Sequence, residues 1–229
     1  MVGMQAPPAL ARPSTLQDLP PGLASEHPEV ADLTALSAAG LPVGALVVVP
    51  SALEERFYRL NNLPALLEEL FAAVDPADPD EDDVEEACPA AQALVRQHYM
   101  LDETIDDFYH ATKGLPERLH VRRPHHDGRV AVRGRPALMA LKQLYQSDWS
   151  YEAVWARLRL CRSIALEARP VLVHAVEEAP GGAGGDARVA RTARAAEVLG
   201  VLCTLRLTSD GSIVGVRREG APLPRAERG

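Results

Sequence analysis

Cysteine, aromatic residues and long apolar runs are all scarce in this chain, and each scarcity removes a class of protein. The three cysteines, Cys88, Cys161 and Cys203, are far apart and form no C-x-x-C pair. An odd, scattered set supports neither a disulfide framework nor a zinc site, so buried thiols are expected. Aromatics make up 4% of the residues and the formal charge is -8, which disfavours nucleic-acid binding, since that needs basic surface. No apolar stretch approaches the roughly eighteen residues that cross a bilayer. The N-terminus also lacks the basic start and apolar run of a secretion signal, so the expected address is the cytoplasm, with no membrane partner. Internal repeats are absent. The GGAGG stretch at 181–185 lacks the Lys-Ser or Lys-Thr that opens the helix of a P-loop, and reads as a linker.

What remains is a globular composition. With 229 residues and 47% hydrophobic side chains the chain can bury a sizeable core. Residues 1–28 are rich in Pro, Ala and Ser and read as a flexible N-terminal segment; residues 220–229 read as a flexible tail, which leaves 29–219 as the folded domain. Charge is patterned within it. Residues 75–86, DPADPDEDDVEE, carry acids and no base, and outside them the chain is close to neutral. Conversely, residues 118–135 hold Arg118, Arg122, Arg123, Arg129, Arg133 and Arg135 against Asp127 alone.

Periodicity places the elements. Val30, Leu33 and Leu36 predict a helix over 29–39 that ends at Gly40, a residue suited to a left-handed cap. The Val-rich run 41–50 predicts a strand buried on both faces. Ser51 with Glu54 spells a capping box for the next helix, and another is expected over 64–73. The acidic run reads as a solvated lead into a helix at 84–98 whose first turn holds acids, followed by a helix at 102–112. LHV (119–121) and RVAVRG (129–134) predict a hairpin around RRPHHDG. Helices follow from Pro136 and, through Val154, Leu158, Cys161 and Ala165, over the next segment, with Ser147 to Ser150 between them. PVLVHAVEE (170–178) reads as a strand. Asp210-Gly211, between LCTLRLTS and SIVGVRRE, predicts a closing β-hairpin with a two-residue turn. The fold class is therefore α/β or α+β with a C-terminal β-hairpin.

Several of these segments are similar to a known family. ADLTALSAAGLPVGALVVVPSALEERF (31–57) resembles the opening of the pyruvate phosphate dikinase and phosphoenolpyruvate synthase family, where a glycine-rich loop carrying a lysine leads into a helix and then A-G-L-P-V-P-x-G-F-V-V-T-x-x-A-Y; Ala39, Gly40, Leu41, Pro42 and Val43 match. RPALMALKQLYQSDWSYEAVWARLRL (135–160) looks like the family's helix, tryptophan-containing turn and second helix, and PVLVHAVEE is similar to its V-V-V-Q-x-M-V strand. The resemblance implies an ATP-grasp-like N-terminal nucleotide-binding domain that takes ATP with Mg2+. It departs from the family at the chemistry. The family's G-G-K-G loop is HPEV here, so Glu29 stands near the lysine's place and repels a triphosphate. The V-R-S-S-A signature is VRRPHH, which keeps Arg122 and replaces the rest with Arg123, Pro124 and His125. Counting from Gly211 puts Thr204 at the metal-binding glutamate and Arg217 at the following glutamine. The length leaves no room for the swivelling and substrate-binding domains, so the full phosphoryl relay is not expected on this chain alone.

The candidate nucleotide contacts are Arg122, with Arg123 and Arg118, because guanidinium forks match phosphate geometry. No catalytic residue is assigned. A metal at His120, His125, His126 and Asp127 is disfavoured because adjacent loop histidines point apart. Trp149, Tyr151 and Trp155 read as a core cluster before a base-stacking platform, and His174, on an apolar strand, as a hydrogen-bonded core histidine. The first functional expectation is an ATP-binding domain with weakened or lost phosphotransfer. The alternative is a non-enzymatic interaction or regulatory protein whose acidic and basic segments meet a protein partner.

Overall fold

A computed structural model describes residues 12–25, 27–176 and 185–222. In chain order these form β1 (Ser14–Thr15), α1 (Pro21–Ala24), α2 (Pro28–Ala38), β2 (Leu46–Val49), α3 (Ser51–Leu60), α4 (Leu63–Leu70), α5 (Glu81–Gln97) and α6 (Asp102–Thr112). They continue with β3 (Arg118–Arg122), β4 (Gly128–Val132), α7 (Arg135–Ser147), α8 (Tyr151–Cys161), β5 (Val171–Ala175), α9 (Gly185–Leu199), β6 (Val201–Leu207) and β7 (Ile213–Pro222). The main sheet has the order β1-β2-β5-β3-β4, and every neighbouring pair is antiparallel. The fold is therefore α+β. Strands β6 and β7 form a separate hairpin. Among the described residues no helix is long and apolar enough to cross a membrane.

The main sheet is covered on both faces, which is why its central strands are apolar throughout. In β2, Val47 and Val49 join Val171, Val173, Leu119 and Val121 in a large core with the helices α3 to α8, while Leu46 and Val48 point the other way, with Leu172, against α2, α9 and the β6–β7 hairpin. All four β2 residues are buried, and fully burying each such side chain contributes about 1.5–3 kcal/mol. Residues 41–45 stay outside the strand. They bind β7 instead, through Ile213 N–H to Pro42 O at 2.7 Å and Gly44 N–H to Ile213 O at 2.8 Å. Gly40 takes φ +78, the left-handed conformation expected after α2.

Five details differ from the sequence reading. Glu54 does not fold back to complete a capping box, because its carboxylate is buried against Arg123. Helix α8 stops at Cys161, where Arg162 turns left-handed at φ 52, so Cys161 is exposed and Ala165 lies beyond the helix. The closing hairpin uses Ser209, Asp210 and Gly211 rather than a two-residue turn: only Gly211 has positive φ, its N–H donates to Thr208 O at 2.8 Å, and Asp210 accepts from Ser212 N–H at 3.0 Å. Helix α9 was not legible, because its buried residues are Ala195 and Ala196, which carry little apolar signal. The GGAGG linker lies outside the described residues except for Gly185, which begins α9. Within the N-terminal segment read as flexible, Ser14–Thr15 pair with Val47 and Val48 at the sheet edge.

Candidate functional site

Adjacent residues of a strand point to opposite faces of its sheet, and this sends the two consecutive arginines at the end of β3 into different surroundings. Arg122 turns toward α2 and β7. Its guanidinium donates through Nη2 to Glu29 Oε1 at 2.7 Å and through Nη1 to Glu29 Oε2 at 3.0 Å, a fork on a fork. Nε donates to His174 Nε2 at 2.9 Å, and Nη2 also reaches Val214 O at 3.0 Å. Arg122 and Glu29 are 0% and 1% exposed.

Glu29 is equally well held. Besides the guanidinium it accepts the backbone N–H of His125 at 2.6 Å and of Val216 at 3.1 Å. Burial alone would raise its pKa; hydrogen bonds and charge from Arg122, with the His125 N–H, outweigh burial and hold it below its usual value. His27 caps α2 by accepting Glu29 N–H at 3.2 Å, and its ring lies 5.0 Å from that of His125. His174 accepts a hydrogen bond from Arg122 Nε–H at Nε2 and lies 2.7 Å from Ala175 O at Nδ1, so its neutral Nδ1–H tautomer fits both partners. Gly215 completes the pocket, since a Cβ there would sit 2.6 Å from Arg122 Nη2 and 3.0 Å from Glu29 Oε1.

Arg123 turns to the other face, toward α3 and α7. It forks onto Glu54 at 2.6 and 2.9 Å, also binds Asp148 and the Arg169 carbonyl, and lies 5.3 Å from the centre of the Tyr145 ring. Asp148 is shared with Arg169 Nη2 at 2.7 Å, and Arg169 N–H donates to Glu54 at 3.1 Å. Burial works against the charge on Arg123, but Glu54 and Asp148 outweigh it and hold its pKa above the usual guanidinium value.

The structure thus brings Glu29 to Arg122 and joins them to each other. Arg118 begins β3 on the surface, roughly 13 Å along the strand from Arg122, opposite Val132. Thr204 and Arg217 are cross-strand partners on the exposed face of the β6–β7 hairpin, away from the buried pair. Among the described residues no group of three or more His, Cys, Asp or Glu is placed to hold a metal ion. Of the aromatic trio, Trp149 is buried and donates to Tyr58 Oη at 2.7 Å, whereas Tyr151 and Trp155 stack on each other at 5.7 Å nearer the surface. Trp149, Tyr58, Phe71 and Leu67 also line an open cleft of about 810 Å³, a size within the range of small-molecule sites.

Sequence reasoning missed Glu54, Asp148 and Gly215. A signal for Glu54 existed, as for Glu29: Glu29 lies at helical spacing with buried Leu33 and Leu36, and Glu54 with buried Phe57 and Tyr58, so both carboxylates sit on helix faces that are largely buried. No protein-family model matches the chain, and no curated protein matches it.

Proposed function

We propose that this chain is a non-enzymatic interaction domain, resident in the cytoplasm, that reuses an ATP-grasp-like scaffold of the dikinase type without its nucleotide chemistry. One observation carries the reading: the arginine that would meet phosphate, Arg122, is fully buried with its fork on Glu29. Phosphoryl transfer depends on positioned cations and Mg2+. Here the cation is neutralised from within, and opening the pair would strand a buried charge at a cost of about 3–5 kcal/mol. The competing reading, an ATP-binding domain using Arg122, Arg123 and Arg118 with Mg2+, draws support from the order of matching segments and from the contact between α2 and the β3 turn.

Titration of Mg-ATP into the purified chain by calorimetry separates the two. The expected outcome is no heat and no thermal shift at millimolar nucleotide. Saturable Mg-ATP binding would overturn the interaction reading, and its loss in Arg118→Ala, a surface change that leaves the buried pairs intact, would assign the binding to that arginine.

A further inference from the structure

The hairpin of β3 and β4 ends the main sheet on one side. Strand β4 has β3 on one side and, among the described residues, no strand on the other. Arg133 N–H donates to Glu117 O at 2.7 Å, and in an antiparallel ladder the residues that exchange such bonds alternate. Arg129, Ala131 and Arg133 therefore direct their main-chain groups to β3, while Val130 and Val132 present theirs outward.

The side chains alternate in step. Val130 and Val132 share one face and are 52% and 48% exposed. Arg129 and Arg133 are exposed on the opposite face, flanking Ala131, which packs on the larger core. The Arg133 guanidinium donates to the carbonyls of Lys113 and Leu115, and it has no ion pair among the described residues. Arg118 and Arg129 carry no ion pair among the described residues. Asp127, at the turn, is 99% exposed and faces Arg206 at 3.3 Å.

We propose that the β4 edge binds an extended acidic segment of a partner protein as an added strand, acids over the Arg129 and Arg133 face and apolar residues beside Val130 and Val132. This rests on the reading of the chain as an interaction domain, and names the partner's chemistry. Main-chain bonds to the outward groups of Val130 and Val132 supply the affinity, and the alternating pattern supplies the selection. Charge also decides against a second copy of this chain. Two β4 edges laid together bring arginine near arginine, and like charges across a strand pair are destabilising.

The test uses the full chain and a fluorescein-labelled synthetic peptide of alternating Glu and Val, read by fluorescence anisotropy at low salt. Saturable binding is expected that weakens as salt rises. It falls at least about tenfold for Arg129→Glu, and vanishes for the same peptide N-methylated at alternate residues, whose charge is unchanged but whose strand-pairing edge is blocked. Absence of saturable binding overturns the proposal, as does equal binding of the N-methylated peptide, which would mark charge attraction alone. A dimer abolished by Val130→Lys would assign the edge to a second copy and overturn it too. The outcomes remain separable from the parent reading: Mg-ATP binding removes the interaction domain whatever the peptide does, whereas silence to both ATP and peptide removes the edge alone.

Discussion

Arg122 and Arg129 stand on the two strands of one hairpin and have opposite fates. Arg122 is sealed from water with its donors on Glu29, His174 and Val214. Arg129, paired across the ladder with Val121, is exposed and has no carboxylate partner among the described residues. A cluster of arginines in sequence is therefore two physical objects. One holds layers of the fold together, α2 and β7 to the sheet through Arg122, and α3 and α7 to it through Arg123. The other is a charged surface. What separates them is the supply of acids on facing buried helices, which no count of charge along the chain reveals.

The sharpest break in that comparison is truncation of a buried fork. Arg122→Ala leaves Glu29 charged and enclosed, and a stability loss of about 3–5 kcal/mol is expected from urea unfolding. Joining Arg122→Met with Glu29→Leu removes both charges and recovers part of the loss, because apolar groups of similar volume often replace a buried pair without penalty. Recovery stays partial. The backbone N–H groups of His125 and Val216 lose their acceptor, and each buried unsatisfied donor costs about 1–3 kcal/mol. Should Arg122→Ala unfold at the wild-type midpoint, the guanidinium would not be the strut its geometry describes.

Acid offers a gentler way to open the same pair. The folded Glu29 pKa lies below its ordinary value of 4.5, so the sign is that of a depressed acid. Its contribution is fully present above about pH 4.5 and is lost as pH falls through the lower folded value. The stability that Glu29 gives the wild type over the variant carrying Arg122→Met with Glu29→Leu should shrink as pH falls below about 4.5. Urea midpoints measured across that range check it. A difference that instead grows on acidification would mean that Glu29 is protonated more readily in the fold than out of it.

The same contrast explains what could be read from sequence and what could not. Elements with a strong apolar period were legible: α2 from Val30, Leu33 and Leu36, β2 from its valines, α7 from Leu138, Leu141 and Tyr145. So was the β3–β4 hairpin, whose Gly128 cannot carry a side chain because a Cβ would lie 2.2 Å from Val121 O. Helix α9 failed because alanine buries without announcing itself. At the site, the sequence marks Arg122, Arg123 and Glu29, yet read alone it makes Glu29 an obstacle to phosphate and the arginines ligands of it. Recognising them as partners required tertiary proximity across 93 positions of chain, which neither periodicity nor local turn chemistry encodes.

The smallest effect is expected where the charge is least enclosed. Arg118→Ala and Arg129→Ala remove cations that face water and hold no carboxylate among the described residues, and each should change stability by no more than about 0.5 kcal/mol. Their loss makes an already acidic chain more so, a long-range effect that added salt screens over about 8 Å at physiological strength. Any small destabilisation should therefore fade when the urea titration is repeated in high salt. If either substitution instead cost about 2 kcal/mol independent of salt, that arginine would be packed as a strut like Arg122, and the β4 edge would lose its claim to be a free, positively charged surface.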